Sequence, residues 1–73
     1  MICYQKNSEL FYKMDEENKT FTELFRTPLQ KRIQVVLHEP VYNATMNRIL
    51  NSNFTVIDET AFNNAYNIIK SEI

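Results

Sequence analysis

The sequence predicts an α+β fold: a β-hairpin over about residues 9–25, followed by three short helices over about 28–38, 41–51 and 59–71. Three observations carry that expectation. Two arms rich in aromatic and β-branched residues, "ELFYKM" and "KTFTELF", flank a polar connection. "TPLQ", Thr27 to Gln30, has the form of a helix start. Asp58 stands between an extended "FTVI" and an apolar-periodic run. Read instead as one helix, Glu9 to Phe25 would make the chain a small all-α bundle, which is the alternative fold.

The hairpin has a mechanism. Asp15 suits the first position of a type I turn, and Asn18 tolerates the left-handed conformation that closes it in a chain with no glycine. Alternation then places Leu10, Tyr12 and Met14 on one face of the first arm. Phe21, Glu23 and Phe25 share a face of the second. For the first helix, Thr27 caps, Pro28 takes the first helical position and Gln30 completes a capping box. Leu29, Ile33, Val36 and Leu37 follow the i, i+4, i+7, i+8 pattern, although "RIQVVL" also reads as a strand. Pro40 ends this element and can open the next, whose stripe is Tyr42, Met46, Ile49 and Leu50. "NSN", Asn51 to Asn53, stops it. Asp58 caps the last helix, with Ile57 and Phe62 spaced as a hydrophobic staple and Ala61, Phe62, Ala65, Tyr66 and Ile69 on its apolar face.

The 73 residues allow one domain at most. A chain of this size buries only about 60% of its unfolded surface, so it draws on good local structure, self-association or a partner. A lone cysteine, Cys3, excludes an internal disulfide, and with a lone histidine, His38, it makes no zinc site within the chain. Cys3 reads as a buried small apolar residue. The N-terminal "MICYQKNSEL" has no signal-peptide run, and nothing approaches the roughly 18 apolar residues of a membrane span. A soluble, cytoplasmic protein is therefore expected.

Net charge is −1 and glycine is absent. Neither a strongly basic nucleic-acid footprint nor a phosphate-cradling glycine loop is available. The acidic Asp15, Glu16 and Glu17 resemble a calcium loop only at its first positions. Lys19 and Thr20 break the pattern, so the cluster reads as a solvated turn. His38 is placed in the last turn of the first helix, where a cation suits the dipole, and no sequence feature brings it to Cys3 as a catalytic base. Three Asn-x-Thr triplets, at Asn18, Asn43 and Asn53, are expected by chance in an Asn- and Thr-rich chain.

These exclusions leave a small, non-enzymatic protein-binding module without cofactor or metal. It would act through an aromatic-rich surface drawn from Tyr4, Tyr12, Phe21, Phe25, Tyr42 and Tyr66, since tyrosine is favoured where a surface is apolar at one end and wet at the other. A homodimer formed through a hairpin edge or an aromatic helix face is one form of this expectation. The Asn, Ile, Lys, Phe and Tyr content matches AT-rich codons. That suggests a phage or mobile-element inhibitor of a host enzyme or defence complex, working in the host cytoplasm. The alternative function is a nucleic-acid-binding regulator using the helical C-terminal two-thirds, with Lys31, Arg32 and Arg48 as contacts.

Overall fold

A computed structural model describes residues Met1–Ile73. Five antiparallel strands and two helices follow one another along the chain as β1 (Ile2–Lys6), β2 (Leu10–Asp15), β3 (Thr20–Arg26), β4 (Lys31–Val36), α1 (Glu39–Leu50), β5 (Thr55–Ile57) and α2 (Glu59–Glu72). The strand order across the sheet is β4-β3-β2-β1-β5. β1 to β4 form a meander. α1 carries the chain from the β4 edge back to the β1 edge, where β5 pairs with β1. α2 then packs over the opposite face.

The two faces are separate cores. On the α1 side, Tyr4, Tyr12, Met14 and Phe21 meet Tyr42 and Ile49. On the α2 side, Cys3, Phe11 and Leu24 meet Phe62 and Ile69. Consecutive residues of β2, Phe11 and Tyr12, are both buried, one on each face. A central strand that is apolar on both faces needs a cover on both, and one helix lies on each side. Asp58 caps α2 by accepting the Ala61 N–H at 2.7 Å. Ion pairs Lys13–Glu59 at 2.9 Å and Arg26–Glu72 at 3.0 Å then tie the helix to the sheet near both its ends. Each is worth about 0–1 kcal/mol at such exposed positions, so they orient α2 more than they hold it.

The structure corrects the three-helix expectation and rules out the all-α alternative. Residues 28–38 form no helix, because β4 pairs with β3 from Lys31 opposite Arg26 to Val36 opposite Phe21. The Thr27 hydroxyl does accept the Gln30 N–H, at 3.0 Å, as a capping box would ask. The Thr27 N–H also donates to the Gln30 carbonyl at 2.7 Å, so the same four residues close a reverse turn instead. Without a helix, the expected stripe dissolves: Leu29 is 98% and Leu37 77% exposed, while Ile33 packs against the α2-side core. β-branched Ile33, Val35 and Val36 gain more from pairing with β3 than from a short helix.

The arms around "DEEN" are paired as β2 and β3, with Leu10 opposite Phe25 and Asp15 opposite Thr20. The left-handed residue of their turn is Lys19 (φ 55), not Asn18. Asn18 is occupied otherwise: its N–H and side-chain amide donate to the two Asp15 carboxylate oxygens at 3.2 and 2.9 Å. These bonds hold the Asp15 carboxyl below its ordinary value. β1 was not expected. Its turn to β2 depends on Asn7, also left-handed (φ 49), whose side-chain oxygen accepts the Glu9 N–H at 2.8 Å.

Two leucines separate the strand from the helix. Leu24→Ala empties the centre of the α2-side core and is expected to cost about 2–5 kcal/mol. Leu29→Ala, at an exposed turn, is expected to stay within about 0.5 kcal/mol of wild type. Urea unfolding of both variants checks this, since a helical stripe would make Leu29 costly as well.

Candidate functional site

The sequence-predicted aromatics divide by depth. Tyr4, Tyr12, Phe21 and Tyr42 are interior residues of the α1-side core. Phe25 and Tyr66 are only partly buried, and both lie near β4: Phe25 is the register partner of Arg32, and Tyr66 packs with Ile33 against the α2-side core. Of the sequence-predicted aromatics, these two rings alone are left for a surface. Lys31 and Arg32 alternate to opposite faces, so the three basic candidates do not form one patch.

Arg32 and Arg48 do come together on the α1 side, around Tyr12. The Tyr12 hydroxyl donates to Glu23 Oε2 at 2.7 Å and accepts a hydrogen bond from Arg48. Arg32 Nη2 donates to Glu23 Oε1 at 3.2 Å. A cleft of about 340 Å3 opens above them, lined by Lys6, Phe25, Arg32, Arg48 and Phe54 among others. Each cation sits over a ring: Lys6 over Phe54 at 5.7 Å, Arg32 over Phe25 at 5.2 Å and Arg48 over Tyr12 at 5.8 Å. Three cations face one carboxylate, Glu23, so the cleft is positive on a protein of net charge −1. Arg48 also occupies the last turn of α1, where the helix dipole favours a cation. Lys6 and Phe54 escaped sequence reasoning because only the non-local pairing of β1 with β5 brings their segments together.

The second feature is the outer edge of β4. The Thr27–Gln30 bond fixes the alternation of the antiparallel ladder. Arg32, Gln34 and Val36 turn their N–H and C=O groups toward β3, and Lys31, Ile33 and Val35 turn theirs outward. No strand pairs with that side. Val35 is 62% exposed, next to the still more exposed Leu37.

Cys3 and His38 are not brought together. Cys3 is buried on the α2 side, and burial pushes its thiol up, partly offset by Lys13, which is the reverse of nucleophile activation. His38 is not in the last turn of a helix: it precedes α1 as its N-cap residue, exposed to solvent. The acidic turn is exposed at Glu16 and Glu17. No three of the His, Cys, Asp and Glu side chains converge as metal ligands would. No helix is long and apolar enough to cross a membrane. The chain matches no protein-family model, no curated protein and no solved structure.

The buried Tyr12 supports a pH prediction. Burial, then the bond to Glu23, push its hydroxyl well above the ordinary 10.0. A raised folded pKa contributes stability that is present below the unfolded value and lost as pH rises through the folded one. In an ultraviolet titration, Tyr12 is therefore expected to ionise only with alkaline unfolding. Tyr12→Phe should remove that late step and cost about 1–3 kcal/mol at neutral pH, because it removes a bond to a charged partner. A tyrosine titration in which all four groups ionise before unfolding contradicts the arrangement.

Proposed function

We propose that the protein is a non-enzymatic binding module that takes up an extended strand of a protein partner along the outer edge of β4. One observation carries the reading: a six-residue strand with an unpaired outer side, next to bare aliphatic side chains at Val35 and Leu37. Sheet edges are ordinarily blunted by charge, proline, bulges or a covering element. Here the charges, Lys31 and Arg32, stand at one end only, and Pro28 lies in the preceding turn. Strand addition draws affinity from main-chain hydrogen bonds and specificity from alternate side chains. Phe25 and Tyr66 flank the edge on its two faces, so the aromatic contribution to such an interface comes from them. The narrower reading, a phage or mobile-element inhibitor of a host complex, rests on composition alone.

The test is capture with single-site variants. A tagged wild-type chain, and a Glu17→Gln control at the distant turn, should retain a stoichiometric protein. Val35→Lys, which sets a charge on the exposed edge without touching either core, should lose it. Equal retention by Val35→Lys, or no stoichiometric partner with further copies of this chain counted as partners, contradicts the reading.

A second reading has its own observation, the convergence of Lys6, Arg32 and Arg48 with Phe25 and Phe54 in one positive cleft. Arginine with aromatic rings is the chemistry of single-stranded nucleic-acid binding. If the cleft serves that purpose, mixed single-stranded DNA and RNA shift in a gel at about 50 mM salt, where phosphate contacts are strongest, and Arg48→Ala weakens the shift. No shift at that salt removes this reading.

A further inference from the structure

We infer that the strand added at β4 is β4 of a second copy, in antiparallel register with Gln34 facing Gln34 across a two-fold axis. The inference rests on the proposed docking role of this edge and names its occupant. Self-pairing is constrained first by backbone parity. Only residues whose N–H and C=O groups point outward, Lys31, Ile33 and Val35, can exchange hydrogen bonds with their equivalents. Registers that pair odd with even positions are therefore excluded. Charge then removes two more. Sliding the copies one way sets Lys31 against Lys31 or Arg32 against Arg32, and like charges directly opposite are destabilising.

Two registers remain near full overlap. Centring on Ile33 places Lys31 against the exposed Val35. Centring on Gln34 places Ile33 against Val35 twice, and puts Lys31 opposite Leu37 and Arg32 opposite Val36. The second covers the exposed valine with an aliphatic partner and sets the methylene stems of Lys31 and Arg32 along apolar neighbours, with Arg32 keeping its ion pair to Glu23. The Gln34 amides, facing each other on the α1 side, can serve as donor and acceptor to one another. The same strand thus supplies both halves of a self-complementary edge. The product is a continuous ten-strand sheet, twice the five strands of one copy, with an isologous interface that closes at the dimer.

The register chooses its own probe. Gln34 faces its mate at a non-hydrogen-bonded position, where Cα atoms approach to about 4.5 Å, within disulfide range. Under mild oxidation Gln34→Cys should form a covalent dimer. The wild-type chain, whose Cys3 is buried, should not, and Gln30→Cys, off the axis, should cross-link poorly. Light scattering with sizing chromatography should give a dimer for wild type. For Val35→Lys, the dissociation midpoint should rise by about tenfold or more. A monomer at high micromolar concentration overturns self-pairing. If that monomer still captures another protein in a Val35-dependent way, the docking edge survives without it. A dimer that ignores Val35→Lys and does not cross-link at Gln34→Cys also overturns it, by placing the contact elsewhere.

Discussion

The central strand pair β2–β3 is apolar on both of its faces, and the rest of the structure follows from that constraint. Leu10, Tyr12, Met14 and Phe21 demand a cover on one side, Phe11 and Leu24 on the other. A chain of 73 residues meets both demands with one helix per face. Two helices do not cover five strands completely, and the shortfall falls at the edges. β5 is only three residues long, which limits what it can offer. β4 has six, with unpaired backbone groups and exposed valine and leucine. The feature that makes the fold hold together in so little sequence is also what leaves an edge open.

The proposed docking edge adjoins the positive cleft. Arg32 links the two: its backbone belongs to β4, and its side chain reaches Glu23 and the ring of Phe25 in the cleft. Glu23 in turn holds the Tyr12 hydroxyl at the base of the α1-side core. A strand docking on β4 would therefore press on a charge network that is anchored in the interior. The acidic turn at Asp15, Glu16 and Glu17 plays no part in this. Asp15 spends its carboxylate on Asn18, and Glu16 and Glu17 face water.

Local chemistry made the position of the turn after Asp15, the Asp58 cap and the two C-terminal helices legible in the sequence, but not that Lys19 rather than Asn18 takes the left-handed place. What was not legible depended on distant pairing. Thr27 to Gln30 forms the hydrogen bond of a capping box inside a reverse turn, and only the neighbouring β3 decides between the two outcomes. Leu29, Ile33, Val36 and Leu37 have helical spacing by coincidence, whereas alternate Ile33 and Val35 carry the true period. β1 has few turn signals besides Asn7, and its place follows from β2 on one side and β5 on the other. The candidate site shows the same division. Tyrosine count pointed to a surface, yet Tyr4, Tyr12 and Tyr42 were needed to fill a core that lacks leucine at those positions. Arg32 and Arg48 were legible as basic residues, but their meeting over Tyr12 depends on α1 crossing the sheet.

Amide hydrogen exchange along residues 31–37, followed as a function of protein concentration, tests the central claim most directly. At low concentration the amides of Arg32, Gln34 and Val36 should be protected by β3, while those of Lys31, Ile33 and Val35 exchange freely. Raising the concentration, or adding whatever partner takes the edge, should slow the second set alone. Protection that runs without alternation through this stretch at every concentration would contradict the open edge, and with it the account of what this surface is for.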